Sequence, residues 1–362
     1  MAALYVEALQ HAGHRVELVS SFSSYDNAGD SARQVALRTQ GLALAAQLGK
    51  SMRPDVWFTY HVYYKAPDWL GPHISRALGI PYVIAEASFA PKRANGPWQV
   101  GHEGAGEAIR HADLLICPTR FDIGCLEPLV VSDRSRIVLL PPFLDVEPFE
   151  AAVAARDAHR KRLSAEHHAD TDVPWIVVAA MMREGDKAES FHQLADVLER
   201  ISDVPWQLLV AGDGPARSRI AHALEAVAPG RVRLLGTLAA PEVAALYAAG
   251  DLCIWPACNE AYGMAMLEAQ AAGVPVLSCA HRGVPDVVAS GRTGLLAPSG
   301  DTQTLARFAR ELLLDSGRRA QLGREARRFV ADERSLQNAA LQLDRALARL
   351  QLRPREPATR AS

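Results

Sequence analysis

The chain has few cysteines and lacks the spacings that most often give cysteine a chemical role. Five are present among 362 residues, and no two form a Cys-x-x-Cys pair. An odd, scattered set argues against a disulfide framework and against a zinc site. The five are Cys117, Cys125, Cys253, Cys258 and Cys279. We therefore expect reduced thiols and a cytoplasmic protein.

Other absences exclude further classes. No run approaches the about 18 apolar residues that span a bilayer, and we expect no secretion signal, because the start lacks a basic segment and a cleavage site. The 39 Lys and Arg nearly balance 41 Asp and Glu, so the net charge of −2 gives no reason to expect a nucleic-acid partner. No Gly-x-Gly-x-x-Gly run follows a predicted strand, which argues against a nicotinamide dehydrogenase.

What the chain does contain is ample apolar sequence, 49% of its residues, in alternating strand and helix patterns. Its length suits two α/β domains better than one. The most informative stretch, residues 251–301, reads as strand, loop, helix, strand and loop. Its helix, Met264–Ala272, ends at Gly273, and the strands on either side are Leu252–Pro256 and Val274–Cys279.

Two carboxylates, Glu260 and Glu268, frame the turn into this helix. Between them, the amides near Gly263 and Met264 are the unpaired donors of a helix N-terminus, where phosphate binds readily. A carboxylate beyond the phosphate position suits ribose hydroxyls. The turn therefore predicts a nucleoside diphosphate ligand. The plain structural alternative is an ordinary α/β turn with two surface glutamates.

The Glu260–Glu268 spacing resembles the E-x7-E element of the retaining glycosyltransferases of family 4. The flanking sequences EAYGMAMLEAQAAGVPVLSC, RGVPDVV and SGRTGLLAPSGD strengthen the match. The resemblance covers roughly Pro54 to Leu350 and is strongest between Trp175 and Asp301. It implies an α/β fold of the GT-B type, with two doubly wound, Rossmann-like domains facing across a cleft. It also implies retaining transfer of a sugar from a nucleoside diphosphate sugar to a hydroxyl.

The resemblance also implies residue roles. Glu268 would hold the ribose, and Glu260 would be catalytic, contacting the transferred sugar. The donor-binding loop between them would be Ala261, Tyr262, Gly263 and Met264. Such enzymes use cationic side chains in place of a metal, and the central loop has no Asp-x-Asp motif, so we expect no metal and no cofactor besides the donor.

The loop Met181–Lys187 resembles the family's phosphate-contacting turn. Arg183 can fork across phosphate oxygens, and Lys187 supplies a compact charge. Both would offset the charge that builds on the leaving diphosphate. The alternative is a solvated charged loop before a helix.

Two departures from the family lie in the first half. The chain opens on a predicted helix, Ala2–Ala12, and a strand, His14–Ser20, where family members begin with a strand and a glycine-rich turn. We therefore expect a truncated start or a misassigned start codon. Ala87 stands where relatives often have a histidine. His61 follows the preceding strand and is a candidate catalytic replacement, although a lone histidine there is more often structural.

The expected domains are an acceptor-side Rossmann-like domain, a linker, a nucleotide-sugar-binding domain, a helix crossing back to the first domain and a disordered tail. Their bounds are 1–142, 143–172, 173–334, 335–352 and 353–362. The expected partners are a nucleotide sugar and a glycan, lipid-linked or small-molecule acceptor, with peripheral contact to the inner membrane also compatible. Other classes remain open, namely a non-catalytic nucleotide-sugar binder or partner subunit, and a GT-B epimerase or phosphorylase, against which the glutamate pair argues.

Overall fold

A computed structural model of the chain describes residues 1–131 and 133–350. The chain divides into two compact units. The first comprises Met1–Leu140 and the chain from Ala340 onward, and the second comprises Pro141–Ala339. The expected tail, 353–362, lies outside the described residues. No helix of the described part is long and apolar enough to cross a membrane.

The first unit is built on a parallel four-stranded sheet in the order β1-β2-β3-β4. Its strands are β1 Trp57–Tyr60, β2 Tyr82–Ala85, β3 Leu114–Cys117 and β4 Ile137–Leu139, and its helices are α1 Ala2–His11, α2 Ser31–Ser51, α3 Gly71–Leu78, α4 Gln99–His111 and α5 Arg120–Leu126. Strands β2 and β3 are buried along their whole length, as expected where helices cover both faces of a parallel sheet.

The predicted strand His14–Ser20 is wrong. The segment is irregular and pairs with no strand of the described chain. Its composition suits a strand, but a strand forms only where a neighbour takes up its backbone donors and acceptors. Leu18, the centre of its apolar set, is 86% exposed. The local sequence of residues 14–20 therefore did not form a strand, because the segment has no partner strand within the described chain.

The second unit alternates strands and helices throughout. Its elements are α6 Glu147–Ala154, α7 Arg156–His167, β5 Trp175–Ala179, α8 Asp186–Arg200, β6 Gln207–Ala211, α9 Arg217–Val227, β7 Val232–Gly236, α10 Ala240–Ala249, β8 Cys253–Ile254, α11 Met264–Ala271, β9 Val276–Ala280, α12 Val284–Val287, β10 Gly294–Pro298, α13 Thr302–Leu314 and α14 Ser316–Glu333. The division between the units falls within a last helix, α15 Leu336–Leu347.

Two three-stranded parallel sheets of this unit, β5-β6-β7 and β8-β9-β10, are joined by one bridge between Ile176 and Leu252. The amide of Val177 donates to the Leu252 carbonyl at 2.9 Å across this junction. The strands therefore run in the order β7-β6-β5-β8-β9-β10. This is the doubly wound order, in which the chain moves outward first on one side of β5 and then on the other.

A partly buried charge network joins the N-terminal ends of β5 and β8. Asp251, just before β8, accepts hydrogen bonds from Arg156 at 2.8 Å and from Arg160 at 2.9 Å. It also accepts one from the amide of Trp175, the first residue of β5, at 2.8 Å. The network ties α7 to both strands, so that the opposite, carboxyl ends of β5 and β8 keep a fixed spacing.

Candidate donor-binding site

The loops that follow β5 and β8 lie on either side of the point where the strand order reverses. In doubly wound sheets this point opens a crevice at the carboxyl ends of the strands, and ligands bind there. The loop after β5 leads into α8, and the loop after β8 leads into α11. Every residue predicted to bind the donor belongs to these two segments.

Lys187 and Glu260 meet at this point, although 73 positions separate them in the chain. The ammonium Nζ donates to Glu260 Oε2, and it also lies 5.5 Å from the ring centre of Trp255. Both side chains are partly buried, with 28% and 18% of their surfaces exposed. The structure therefore joins two separately predicted residues, one from each segment, in one ion pair.

Lys187 lies in a helix and not in a loop as predicted. Helix α8 begins at Asp186, after Gly185 in a left-handed conformation with φ of 79°. Asp186 and Glu189 occupy its first turn, where carboxylates complement the positive end of the helix dipole. The early start holds Lys187 on a rigid element beside Glu260.

Arg183 is exposed in the loop between β5 and α8, and its guanidinium makes no hydrogen bond or ion pair within the described residues. The loop itself is fixed by the neighbouring turn after β6. The Met182 amide donates to the Asp213 carbonyl at 2.9 Å. Gly212 permits this approach, because a Cβ there would lie 1.9 Å from the Ala180 carbonyl oxygen. Arg183 is thus a free cation on an anchored loop.

The loop that carries Glu260 is braced from two sides. The Asn259 side chain donates to Asp186 at 2.8 Å and accepts from Arg282 at 2.9 Å. The Cys258 amide donates to the buried Ser190 hydroxyl at 2.9 Å. We did not single out these residues from the sequence. Only their position in the chain could have indicated them, because they lie near strand ends on both sides of the point where the strand order reverses.

Helix α11 begins with an open N-terminus. No side chain caps it, and the residue at the cap position is Gly263, with φ of 80°. A Cβ there would lie 2.2 Å from the Met266 methyl carbon and 3.3 Å from Glu260 Cγ. Glycine therefore allows the loop to turn into the helix beside Glu260. The amides at Gly263 and Met264 have the orientation that favours an anion.

Glu268 lies one turn further along α11. Burial raises the pKa of its carboxyl to about 7, because moving the charged form out of water is costly. Neither carboxylate oxygen has a hydrogen-bond donor among the described residues. The site therefore contains a largely buried carboxyl group that lacks a polar partner within the described chain.

The remaining predicted residues are placed as follows. Tyr262 packs partly buried against the core of the second unit, and the carbonyl of Ala261 accepts from the Gly283 amide at 3.1 Å. His61 and Ala87 belong to the first unit, after β1 and β2 respectively. Ala87 is buried and contributes to that unit's core. Within the described part of the chain, no three His, Cys, Asp or Glu side chains gather as metal ligands would.

Known proteins resemble this chain in sequence and in fold. Residues 174–315 match the family "Glycosyl transferases group 1", a span that contains the whole candidate site of the second unit. The D-inositol 3-phosphate glycosyltransferase of Xylanimonas cellulosilytica is 31% identical over 78% of this chain and 70% of its own length. The 2-deoxystreptamine N-acetyl-D-glucosaminyltransferase of Streptomyces fradiae is 30% identical over 84% of this chain and 75% of its own.

The chain covers less of some relatives. It spans 61% of the D-inositol 3-phosphate glycosyltransferase of Corynebacterium urealyticum and 49% of that of Salinispora tropica. Among solved structures, sucrose-phosphate synthase from Thermosynechococcus elongatus superimposes with a TM-score of 0.70 at 18% identity, over 96% of this chain and 93% of that one. Anabaena HepE with UDP and glucose gives 0.66 at 17%, over 90% and 84%.

The fold is therefore of the GT-B class, an α/β fold with Rossmann-like parallel sheets, as predicted. The chain belongs to the group 1 glycosyltransferases, which confirms the family predicted from the Glu260–Glu268 element.

Proposed function

We propose that the protein transfers a hexosyl-type sugar from a nucleoside diphosphate sugar to an acceptor hydroxyl, with retention at the anomeric carbon. The observation that carries this proposal is the Lys187–Glu260 pair at the strand-order reversal, beside the open N-terminus of α11. Cation, carboxylate and backbone donors together are the groups that a diphosphate linked to a sugar requires.

The ribose is assigned to Glu268. Its carboxyl is largely buried and has no hydrogen-bond donor among the described residues, and two ribose hydroxyls would donate to its two oxygens. Ribose binding would favour the ionised form, because hydrogen bonds to a carboxylate stabilise its charge. Glu268 therefore acts on the part of the donor that the nucleotide product retains.

The diphosphate is assigned to the amides at Gly263 and Met264, together with Arg183 and Lys187. Arg183 is exposed and unpaired within the described residues, so that it is available to an incoming anion. Lys187 would turn from Glu260 to the phosphate, and these positive groups would replace a metal in stabilising the leaving group. No metal or other cofactor is needed in this proposal.

Release of Lys187 frees Glu260 for the sugar. The two side chains form an ion pair. We assign Lys187 to the diphosphate and Glu260 to the sugar, which are adjacent parts of one donor. As positive charge develops on the sugar ring in the transition state, the carboxylate would stabilise it. The pair thus neutralises both charges. On donor binding, Lys187 would contact the diphosphate and Glu260 would contact the sugar.

We take UDP-sugars as the first donors to test, because HepE binds UDP and glucose. Two of the relatives reported above are named for D-inositol 3-phosphate and 2-deoxystreptamine. Both compounds are cyclitols, and a small cyclitol hydroxyl is accordingly our first acceptor. Glycan and lipid-linked hydroxyls are the further candidates.

Calorimetry with UDP, GDP and ADP tests the donor site. At least one nucleotide should bind in the micromolar range, roughly 8 kcal/mol, and no binding by any of the three would overturn the proposal. Transfer is then followed with UDP-glucose and UDP-N-acetylglucosamine, with the anomeric configuration of the product read by NMR. An inverted product would refute retention while leaving the donor site intact.

Substitution separates the roles of the two glutamates. Glu268→Gln should weaken donor and nucleotide product alike. Glu260→Gln should lower kcat with little effect on nucleotide affinity, because its contact strengthens as charge develops on the sugar. The opposite pattern, with nucleotide binding lost only in Glu260→Gln, would show that the roles are assigned backwards.

One observation favours a second function, a nucleotide-sugar binder without transferase activity. Ala87 is buried, 2% exposed, at the position for which the family resemblance implies a histidine. A binder would show nucleotide affinity without product for any donor and acceptor pair, and without slow hydrolysis of the donor. Detectable transfer or hydrolysis excludes it.

A further inference from the structure

Two neighbouring links join the start of α8 to the loop after β8, both within the second unit. Asn259 Nδ2 donates to Asp186 Oδ2 at 2.8 Å. The next residue on each side forms the ion pair of Lys187 with Glu260. The two segments are therefore held together twice, once by a neutral amide bonded to a carboxylate and once by two opposite charges.

The two links respond differently to a bound donor. In the proposed function, Lys187 turns to the diphosphate and Glu260 turns to the sugar, so the ion pair opens when the donor binds. The bond between Asn259 and Asp186 involves no residue that we assign to the donor. This second link therefore remains when the first one opens.

A third residue completes the attachment of Asn259. Arg282, in the turn after β9, donates to Asn259 Oδ1 at 2.9 Å and approaches the backbone carbonyl of the same residue at 3.4 Å. The side-chain amide thus uses its NH2 group toward α8 and its oxygen toward the turn after β9. Asn259 is held from two directions, immediately before Glu260.

The backbone conformation of Asn259 does not by itself account for these bonds. Its φ is 51°, in the left-handed region that asparagine tolerates better than most residues. Ala257, two positions earlier in the same loop, has φ of 60° without a polar side chain. The loop therefore adopts such a conformation without asparagine, and the two side-chain bonds are a separate property of Asn259.

We propose that Asn259 is a positioning residue for the transfer step. Its bonds to Asp186 and Arg282 hold the loop that carries Glu260 once the ion pair has opened. This inference rests on the proposed function and adds to it the group that keeps Glu260 beside the sugar. Because Asn259 and Asp186 are exposed, their substitution should change the free energy of unfolding little.

The first test reverses the hydrogen bond. Asn259→Asp keeps the acceptor for Arg282 and a residue type that tolerates the left-handed region, but it places two carboxylates opposite each other. Asp186→Asn keeps an acceptor for Asn259. The double variant Asp186→Asn/Asn259→Asp restores the link with donor and acceptor exchanged. Asn259→Ala breaks the link without adding a charge.

Transfer should be slow only where the link is broken. In Asn259→Asp and Asn259→Ala, kcat should fall about 10- to 100-fold, since misplacement of a group at the reacting centre carries penalties of this size. In Asp186→Asn and in the double variant, kcat should stay within about threefold of the wild type. UDP affinity should change less than about threefold throughout, which separates positioning from binding.

Two outcomes of this test overturn the proposal, namely wild-type kcat in Asn259→Asp and no recovery in the double variant. Asp203→Asn is the matched control, because it removes an exposed carboxylate that pairs with Arg310, and it should leave kcat unchanged. If no acceptor turns over, the same comparison is made with the rate of donor hydrolysis.

The second test needs no ligand. Lys187→Met opens the ion pair, as donor binding would, and amide exchange across residues 257–263 should stay slow because the Asn259 link remains. Adding Asn259→Asp should speed this exchange about 3- to 10-fold, the factor that corresponds to one hydrogen bond. Adding Asp186→Asn as well should slow it again. Strand β6 is the internal control. No change on adding Asn259→Asp overturns the proposal.

The two proposals fail in different measurements. If neither UDP, GDP nor ADP binds the wild-type protein, the donor site is wrong, and the exchange test still shows whether Asn259 holds the loop. If UDP binds and Asn259→Asp changes neither kcat nor exchange, the donor site stands and the positioning role is overturned.

Discussion

The loops at the carboxyl ends of the parallel strands are built differently in the two units. In the second unit, the loop turns into α11 through Gly263, and two opposite charges 73 residues apart meet beside it. In the first unit, non-glycine residues, His61 and Glu86, occupy the left-handed positions at neighbouring strand ends. In the second unit, the Glu260 loop is braced by Asp186 of α8 and by Arg282 through Asn259. In the first unit, the turns at His61 and Glu86 depend on two hydrogen bonds that extend the ladder of the sheet.

The difference shows which kinds of turn can be predicted from a sequence. A glycine followed by a helix pattern marks a helix N-terminus, so the turn at Gly263 could be recognised directly. A histidine or glutamate in a left-handed conformation cannot be recognised in this way, because the residue type does not predict the conformation. The following four experiments test this contrast between the units, from the largest expected effect to the smallest.

Glu268 gives the largest effect, through pH. Burial raises the pKa of its carboxyl from the ordinary 4.5 to about 7. A raised pKa means that the folded state binds the proton more tightly, so stability is greatest below about pH 4.5. It should fall as pH rises to about 7 and then level off, by on the order of 3 kcal/mol in total.

Glu268→Gln should flatten this part of the pH profile, measured by urea unfolding from pH 4.5 to 8. Exposed Glu311 of α13 provides the control, since Glu311→Gln should leave the profile unchanged. If ribose takes the ionised form, UDP binding to the wild type should tighten as pH rises toward 7, with proton release detectable by calorimetry in different buffers. A flat wild-type profile would show that Glu268 is not buried in solution.

Arg183 and Lys187 give the next largest effect. Arg183→Ala and Lys187→Ala should each weaken UDP binding by about 1.5–3 kcal/mol while uridine binding changes little, because charge-assisted contacts to phosphate are of this size. Arg219→Ala is a matched control, since Arg219 is an exposed arginine of α9 that pairs with Glu184. Equal losses for UDP and uridine would show that neither cation binds phosphate.

Substitution of Gly263 tests whether the turn into α11 requires glycine. Gly263→Ala should destabilise the protein by about 1–2 kcal/mol, partly from the left-handed φ of 80° and partly from the close approach to Met266. Gly291→Ala isolates the first contribution, because Gly291 has a similar φ of 84° and no atom within 4 Å of its added Cβ. Only Gly263→Ala should also weaken UDP binding, since it alone displaces the amides at the helix start.

Much of the fold was predictable, because local composition indicates buried parallel strands such as Trp175–Ala179 and helix ends such as Gly273. Of the site, the helix after Glu260 was predictable from local composition, and the glutamate pair was recognised through its resemblance to the E-x7-E element. The contact between Lys187 and Glu260 was not, since it depends on the order in which the strands assemble. Glu86 and Asn259 were also missed, because tertiary hydrogen bonds determine what they contact.

The smallest effect is expected in the segment that was wrongly predicted as a strand. Leu18 is 86% exposed and lies in an irregular stretch of the first unit. Leu18→Ser should therefore change the free energy of unfolding by less than about 0.5 kcal/mol, as for most surface substitutions. Leu115→Ala in β3 is the contrast, because Leu115 is fully buried, and its loss should cost about 2–5 kcal/mol. A cost for Leu18→Ser above about 1 kcal/mol would indicate that residues 14–20 pair as a strand in solution. The strand predicted from the sequence would then be correct.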